Sequence, residues 1–138
     1  MGQVAAIDLG RVRVGLAVSD ELGALAVPRP PLSGRSRRAL LAALVRLQRD
    51  ENVERFLVGA PRALRGGRSV AADRAARFCQ QLADATGVEV ELVDERWSSV
   101  QAERELAGTG HARHARRARV DGVAAALLLQ SWLDARRG

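Results

Sequence analysis

Three short apolar runs crowd the first 27 residues, and their spacing restricts the fold more than any other feature of the chain. Residues 4–9, 14–18 and 24–27 are built mainly from Val, Ala and Leu, Gly and Asp turn signals separate them, and Gly10 and Gly15 flank the first turn. Runs this short, broken by glycine and aspartate, read as strands that pair as an antiparallel meander. Residues 28–34 hold three prolines and a glycine, which marks a connection out of the meander. The period then changes. Leu40, Leu41, Leu44, Val45 and Leu47 recur at spacings of three and four, so a helix entered near Ser36 runs over 37–51 with one buried face.

Strands and helices alternate from there. Residues 55–58 read as a buried strand, 59–69 as a loop rich in glycine and arginine, and Ser69 caps a second helix that Gly87 stops after Thr86. Ala75, Phe78 and Leu82 face its core side. Residues 88–93 alternate apolar and acidic side chains as a half-exposed strand should, and end in Asp94 and Glu95. Ser98 or Ser99 caps a short helix to about Ala107, Gly108 and Gly110 interrupt the pattern, and residues 111–119 are strongly basic. A last helix from about Val120 to Arg136 buries Val123, Ala124, Leu127 and Leu128, with Arg136 and Arg137 complementing its dipole. The order βββαβαβαα predicts an α/β fold: a mixed five-stranded sheet, antiparallel meander first and parallel strands after, flanked by helices. The first strand is central, and right-handed crossovers join the later two in parallel.

At 138 residues the chain is expected to form a single domain, 1–138, with a core drawn from a 47% hydrophobic composition. Aromatics make up only 3%, so stacking of bases on an aromatic platform is not its main mode of binding. The formal charge is +6, and all 22 basic residues are arginines. A guanidinium grips phosphate with two parallel hydrogen bonds, so this surface suits a nucleic-acid backbone. Genome-wide base bias accounts for Arg in place of Lys better than for the excess of base over acid. One cysteine, Cys79, permits no internal disulfide and no cysteine zinc site, which fits a reducing compartment. Neither a leader-like segment nor an apolar run of ~20 residues is present, so a cytoplasmic location and no membrane partner are expected.

Three acids interrupt local patterns that do not call for charge. Asp8 breaks the apolar strand VAAIDLG, Glu95 ends VELVDER, and Asp121 opens the apolar helix VDGVAAALLLQ. With the first and later strands side by side, their carboxyl ends can gather these groups. Three gathered carboxylates repel one another unless a cation neutralises them, and hard divalent ions, Mg²⁺ or Mn²⁺, prefer such oxygen ligands. Two such ions serve an in-line phosphodiester displacement. Each acid also has a structural reading: Asp8 in its turn, Glu95 paired with Arg96, Asp121 at a helix start. Only the coincidence of three favours chemistry.

Four segments resemble, in order and spacing, the YqgF (RuvX) family of nucleases: AIDLGRVRVGLAVSD, FLVGAPRALRGGRS, VELVDERWSSVQAE and VDGVAAALLLQSWLD. In the first, Asp8, Gly10, Arg13, Gly15, Ser19 and Asp20 match the family's pattern. The resemblance covers nearly the whole chain. It implies a ribonuclease H-like fold similar to Holliday junction resolvases, a role in maturing the 5′ end of small-subunit ribosomal RNA, and Asp8, Glu95 and Asp121 as metal-binding, catalytic acids. The chain departs from the pattern at Arg62 and at Arg65-Gly66-Gly67, where the family has Asn and Asp-Gly-Ser. It departs again at Trp97, Ser98 and Ser99, where Leu and two threonines are usual. The proposed ligands are untouched.

Substrate phosphates have several candidate partners. Arg62, Arg65 and Arg68 sit on a loop whose glycines permit close backbone approach, ahead of a helix N-terminus. Arg13 follows the first acid and either binds phosphate or locks the turn. Arg96 adjoins Glu95, and Arg113, Arg116, Arg117 and Arg119 form the densest basic tract, just ahead of Asp121. His111 and His114 lack a third ligand and read as surface residues. The expected partner is structured RNA, with branched DNA as the alternative substrate, and the chain acts as a monomer or homodimer. Rival readings are a Holliday junction resolvase, a non-catalytic RNA-binding assembly factor, and an actin-like ATPase or sugar kinase. The last shares the Ile-Asp-Leu-Gly opening but needs two lobes around its nucleotide.

Overall fold

The computed structural model describes residues 2–60, 70–94 and 113–137; within these, the side chains of residues 60, 71, 94, 113–121 and 137 are outside the description. Five strands, β1 (Gln3–Asp8), β2 (Arg13–Ser19), β3 (Ala26–Ser33), β4 (Val53–Ala60) and β5 (Glu89–Asp94), form one sheet in the order β3-β2-β1-β4-β5. The first strand is central, as its apolar run requires. β1 pairs antiparallel with β2 and parallel with β4, β2 pairs antiparallel with β3, and β4 pairs parallel with β5. The meander and the parallel extension therefore both stand as expected. The short helix expected after Ser98 lies outside the described residues.

Strand alternation divides the sheet into two faces, each with its own core. On one, Ala5, Ile7, Val14, Leu16, Val18, Phe56 and Val58 pack against Leu40 and Leu44 of α1 (Arg37–Glu51) and Phe78 and Leu82 of α2 (Val70–Thr86). On the other, Val4, Ala6, Ala17 and Leu57 pack against Ala125, Leu128, Leu129 and Leu133 of α3 (Arg113–Arg137). Local signals set the helix ends. The Ser36 hydroxyl accepts from Ala39 N–H at 3.1 Å to open α1, and α2 ends where Gly87, at φ +74°, donates to Ala83 C=O.

Two expectations are corrected. Residues 28–33, read as a connection, belong to β3, with Pro28 opposite Ala17 and Arg29 opposite Leu16. β3 is the outermost strand on its side, and an edge strand tolerates prolines because its outward positions need no N–H partner. The last helix begins at Arg113, so the basic tract forms its first turns, and its buried face is Ala124, Ala125, Leu128, Leu129 and Leu133. Val123 and Leu127 are only half-buried. A run as uniformly apolar as VAAALLL leaves helix rotation unspecified, and the sheet chooses it.

The start of β1 departs from the regular ladder on both sides. Between Gln3 and Val4 the pairing with β4 slips by a residue, from Val53 to Arg55. The Val4 N–H instead donates to the Ser19 hydroxyl at 2.9 Å, and the Gln3 amide donates to Ser19 C=O at 2.7 Å. Ser19, 2% exposed, thus satisfies a buried donor at the start of the central strand from its place at the end of β2.

Candidate active site

Asp8 closes the central strand at the sheet edge where the parallel strands β1, β4 and β5 all end. Alternation puts it on the face of Val4 and Ala6, the face that α3 covers. Its register partners are Gly15 on β2 and Gly59 on β4. Both neighbours at its level are therefore without side chains, and the half-buried carboxylate stands in a gap in the row that β-carbons would otherwise fill. Arg13, also half-buried, lies two residues before Gly15 and so on the same face.

The loop after Asp8 is held tightly. Gly34 donates to Val12 C=O at 2.7 Å, and a β-carbon on Gly34 would come within 2.7 Å of Gly10 O and 2.9 Å of Arg11 O. Only glycine fits that approach, which ties the start of α1 to the turn beside Asp8. Leu9, next after Asp8, packs against the core on the α1 and α2 side.

Of the other two acids, Asp121 lies in α3 one turn before Ala125, which packs in the cluster with Ala6. The next residue, Gly122, reaches β3, where a β-carbon would sit 3.6 Å from Pro28 Cβ and 3.8 Å from Arg29 O. The axial position of α3 is fixed by Gln130. Its side-chain amide accepts from Ala26 N–H and donates to Ala24 C=O, both at 2.9 Å, as a strand would. Glu95 follows Asp94 directly in sequence and lies outside the described residues, as do Arg62, Arg65, Arg68 and Arg96. Arg113, Arg116, Arg117 and Arg119 occupy the first turns of α3, with side chains outside the description.

A divalent cation fits the donor that Asp8 offers. Carboxylate oxygen is the donor that hard ions select, and the glycines that pair with Asp8 set no side chain beside it in the sheet. Among the described residues, no group of three His, Cys, Asp or Glu side chains forms a complete cage. Asp8 is the one of the three acids whose side chain the description includes.

Electrostatics elsewhere serve the frame. Asp20 Oδ1 accepts from Ala24 N–H at 2.9 Å and Leu25 N–H at 3.2 Å, and these bonds hold its carboxyl below the usual range. Arg29 grips Glu51 with two bonds, which raises the guanidinium's pKa and lowers that of the carboxyl. Burial pushes the Cys79 thiol up to about 11, consistent with packing. The roles of Ser19, Gln130 and the glycine pair escape sequence reasoning, since each depends on a partner strand.

Comparison with known proteins decides the family. The RuvX model, described as Holliday junction resolvase, matches residues 2–135. The chain belongs to the RuvX family. Among RuvX relatives, a protein of Anaeromyxobacter sp. (strain Fw109-5) named "Putative pre-16S rRNA nuclease" is 42% identical over 130 residues, 94% of this chain and 95% of its own. One of the same name from Chloroflexus aurantiacus (strain ATCC 29366 / DSM 635 / J-10-fl) is 37% identical over 134 residues, 97% of this chain and 88% of its own. The fold matches RuvC of T. thermophilus, solved with Holliday junction substrate, at TM-score 0.62 and 19% identity, over 100% of this chain and 97% of that one. It also matches the fowlpox virus Holliday junction resolvase at TM-score 0.58 and 10% identity, over 96% and 99%. The ribonuclease H-like α/β fold follows, and RuvX membership puts the chain in a class of hydrolases that cut phosphodiester bonds.

Proposed function

We propose that this RuvX-family chain is a metal-dependent endonuclease that cuts RNA, acting in 5′-end maturation of pre-16S rRNA. Asp8, Glu95 and Asp121 are its metal-holding catalytic acids. The observation that carries the reading is the placement of Asp8: the only carboxylate of the central strand stands at the sheet's carboxyl edge between two positions that bear no side chain. In open α/β sheets, ligands bind at that edge. The relatives' shared name supports pre-16S rRNA as substrate.

In this reading the three carboxylates hold Mg²⁺ or Mn²⁺, which supplies charge neutralisation and an activated water to phosphodiester hydrolysis. Arg13, on the face of Asp8, neutralises substrate phosphate. Arg62, Arg65, Arg68 and Arg96 do so from segments that follow β4 and β5 in sequence, and Arg113, Arg116, Arg117 and Arg119 from the start of α3. The chain works in the cytoplasm on structured RNA, as a monomer or homodimer. No helix among the described residues is long and apolar enough to cross a membrane.

The test is Mn²⁺-dependent cleavage by wild-type and Asp8→Asn protein, with pre-16S rRNA, an unrelated structured RNA and four-way DNA side by side. Cutting of the ribosomal precursor by wild type alone is expected. Cleavage confined to four-way DNA would replace the proposal with junction resolution. No cleavage of any substrate, with RNA binding retained, would make the chain an assembly factor.

A further inference from the structure

The basic residues assigned to substrate so far lie on β2, on α3 or in segments outside the described residues. A separate group stands on the opposite flank of the sheet. α1 and α2 run side by side on the face away from α3, and both begin at the Asp8 edge, since β3 and β4 lead into them there. Residues 10–12, 34–39 and 70–78 form this flank. They carry Arg11, Arg35, Arg37, Arg38, Arg74 and Arg77 against Asp73 as the sole carboxylate.

These arginines are not consumed by ion pairs. Arg29 pairs with Glu51 and Arg55 with Glu89 and Glu91, all away from this flank. Arg37 lies over the Phe78 ring, 4.9 Å from its centroid, and donates to the neutral Gln81 amide at 2.8 Å. Partial burial lowers its pKa, and the like charges of its neighbours Arg74 and Arg77 lower it further. Holding like charges together is unfavourable unless an anion answers them. Arg35, Arg38 and Arg77 are exposed and free to give that contact, and the Gly34 approach to Gly10 and Arg11 fixes the group beside the loop that follows Asp8.

We propose that the arginine flank formed by the first turns of α1 and α2 binds the phosphodiester backbone of an RNA arm outside the segment being cut. The surface deepens the nuclease reading and rests on it for the identity of its ligand. Contacts of this kind carry no base information, and they set how the substrate lies across the Asp8 edge.

The test measures binding without cleavage. A fluorescein-labelled RNA duplex of about 20 base pairs, in EDTA, is titrated with wild type and with the Arg35→Gln/Arg38→Gln/Arg77→Gln variant over a salt series. Each phosphate contact contributes about 0.9 to the slope of log K against log salt, so loss of three should flatten it by between about 2 and 3. A DNA duplex of equal length should show the same flattening, because phosphate is the group contacted. A control, Arg46→Gln/Arg49→Gln/Arg136→Gln, removes equal charge away from the flank, Arg46 being about 13 Å along α1 from Arg37. It should leave the slope within about 1 of wild type.

With Mn²⁺ and saturating RNA, kcat should be unchanged while KM rises. An unchanged slope in the flank variant, equal loss in the control, or loss on RNA alone would each overturn the proposal. Wild type that binds with a steep slope and cuts nothing would sink the nuclease reading and leave this surface standing.

Discussion

Gln130 offers a quantitative test of how α3 is seated. Its amide replaces a strand, accepting a hydrogen bond from Ala26 N–H and donating one to Ala24 C=O, each at 2.9 Å and each partly buried. Gln130→Ala removes both bonds. A net hydrogen bond contributes about 1 kcal/mol, and water reaches the partly exposed backbone groups once the amide is gone, so the loss should be about 1–2 kcal/mol. The further bond to Asp134, at 3.0 Å and exposed, adds little. In urea, with m near 2 kcal/mol/M, the midpoint should fall by about 0.5–1 M at constant m. Gln130→Glu separates the two bonds. It keeps an acceptor for Ala26 but loses the donor to Ala24 and sets a second carboxylate beside Asp134. It should be no more stable than Gln130→Ala at pH 7, and should gain on it as pH falls through the carboxylate range, where a protonated carboxyl can donate again. A midpoint for Gln130→Ala within about 0.2 M of wild type would refute the clamp.

Other outcomes follow from the same geometry. Asp8→Asn, Glu95→Gln and Asp121→Asn should each abolish cleavage with the circular dichroism spectrum retained and RNA affinity less affected than rate; unaltered cleavage in all three would reject the site. The Arg29–Glu51 pair lowers the carboxyl's pKa, so its stabilisation is present above the ordinary carboxylate range and lost as pH falls through the lowered value. Since both side chains are about a third exposed, at 33% and 29%, Glu51→Gln should lower urea stability by only about 0.5–1 kcal/mol at pH 7, and the gap should close once pH falls below the lowered carboxyl value. Cys79, pushed up to about 11, should react with iodoacetamide at pH 7.5 at least about 100-fold slower in the native protein than in urea, and equal rates would contradict its burial.

Much of the fold was legible because it rests on local pattern. Short apolar runs and the glycine and serine signals around α1 and α2 fix the element order, and the apolar run of the first strand marks it as central. The edge strand β3 was obscured because three prolines look like a linker until the absence of an outer neighbour makes their missing N–H harmless. Chemistry was legible only as type. Asp8 interrupts an apolar run and can be found without coordinates, whereas Gly15 and Gly59 become its neighbours only when two strands adopt one register.

The amino-acid sequence by itself determined the alternation of strands and helices, the family, and the three acids worth testing, since periodicity and motif spacing are properties of adjacent residues. Tertiary structure alone decided which face of the apolar last helix is buried, that a glutamine 104 residues away completes the start of β3, and that arginines of two helices share a flank beside Asp8. Those outcomes depend on close packing of surfaces distant in the chain, where a shift of one residue changes every partner.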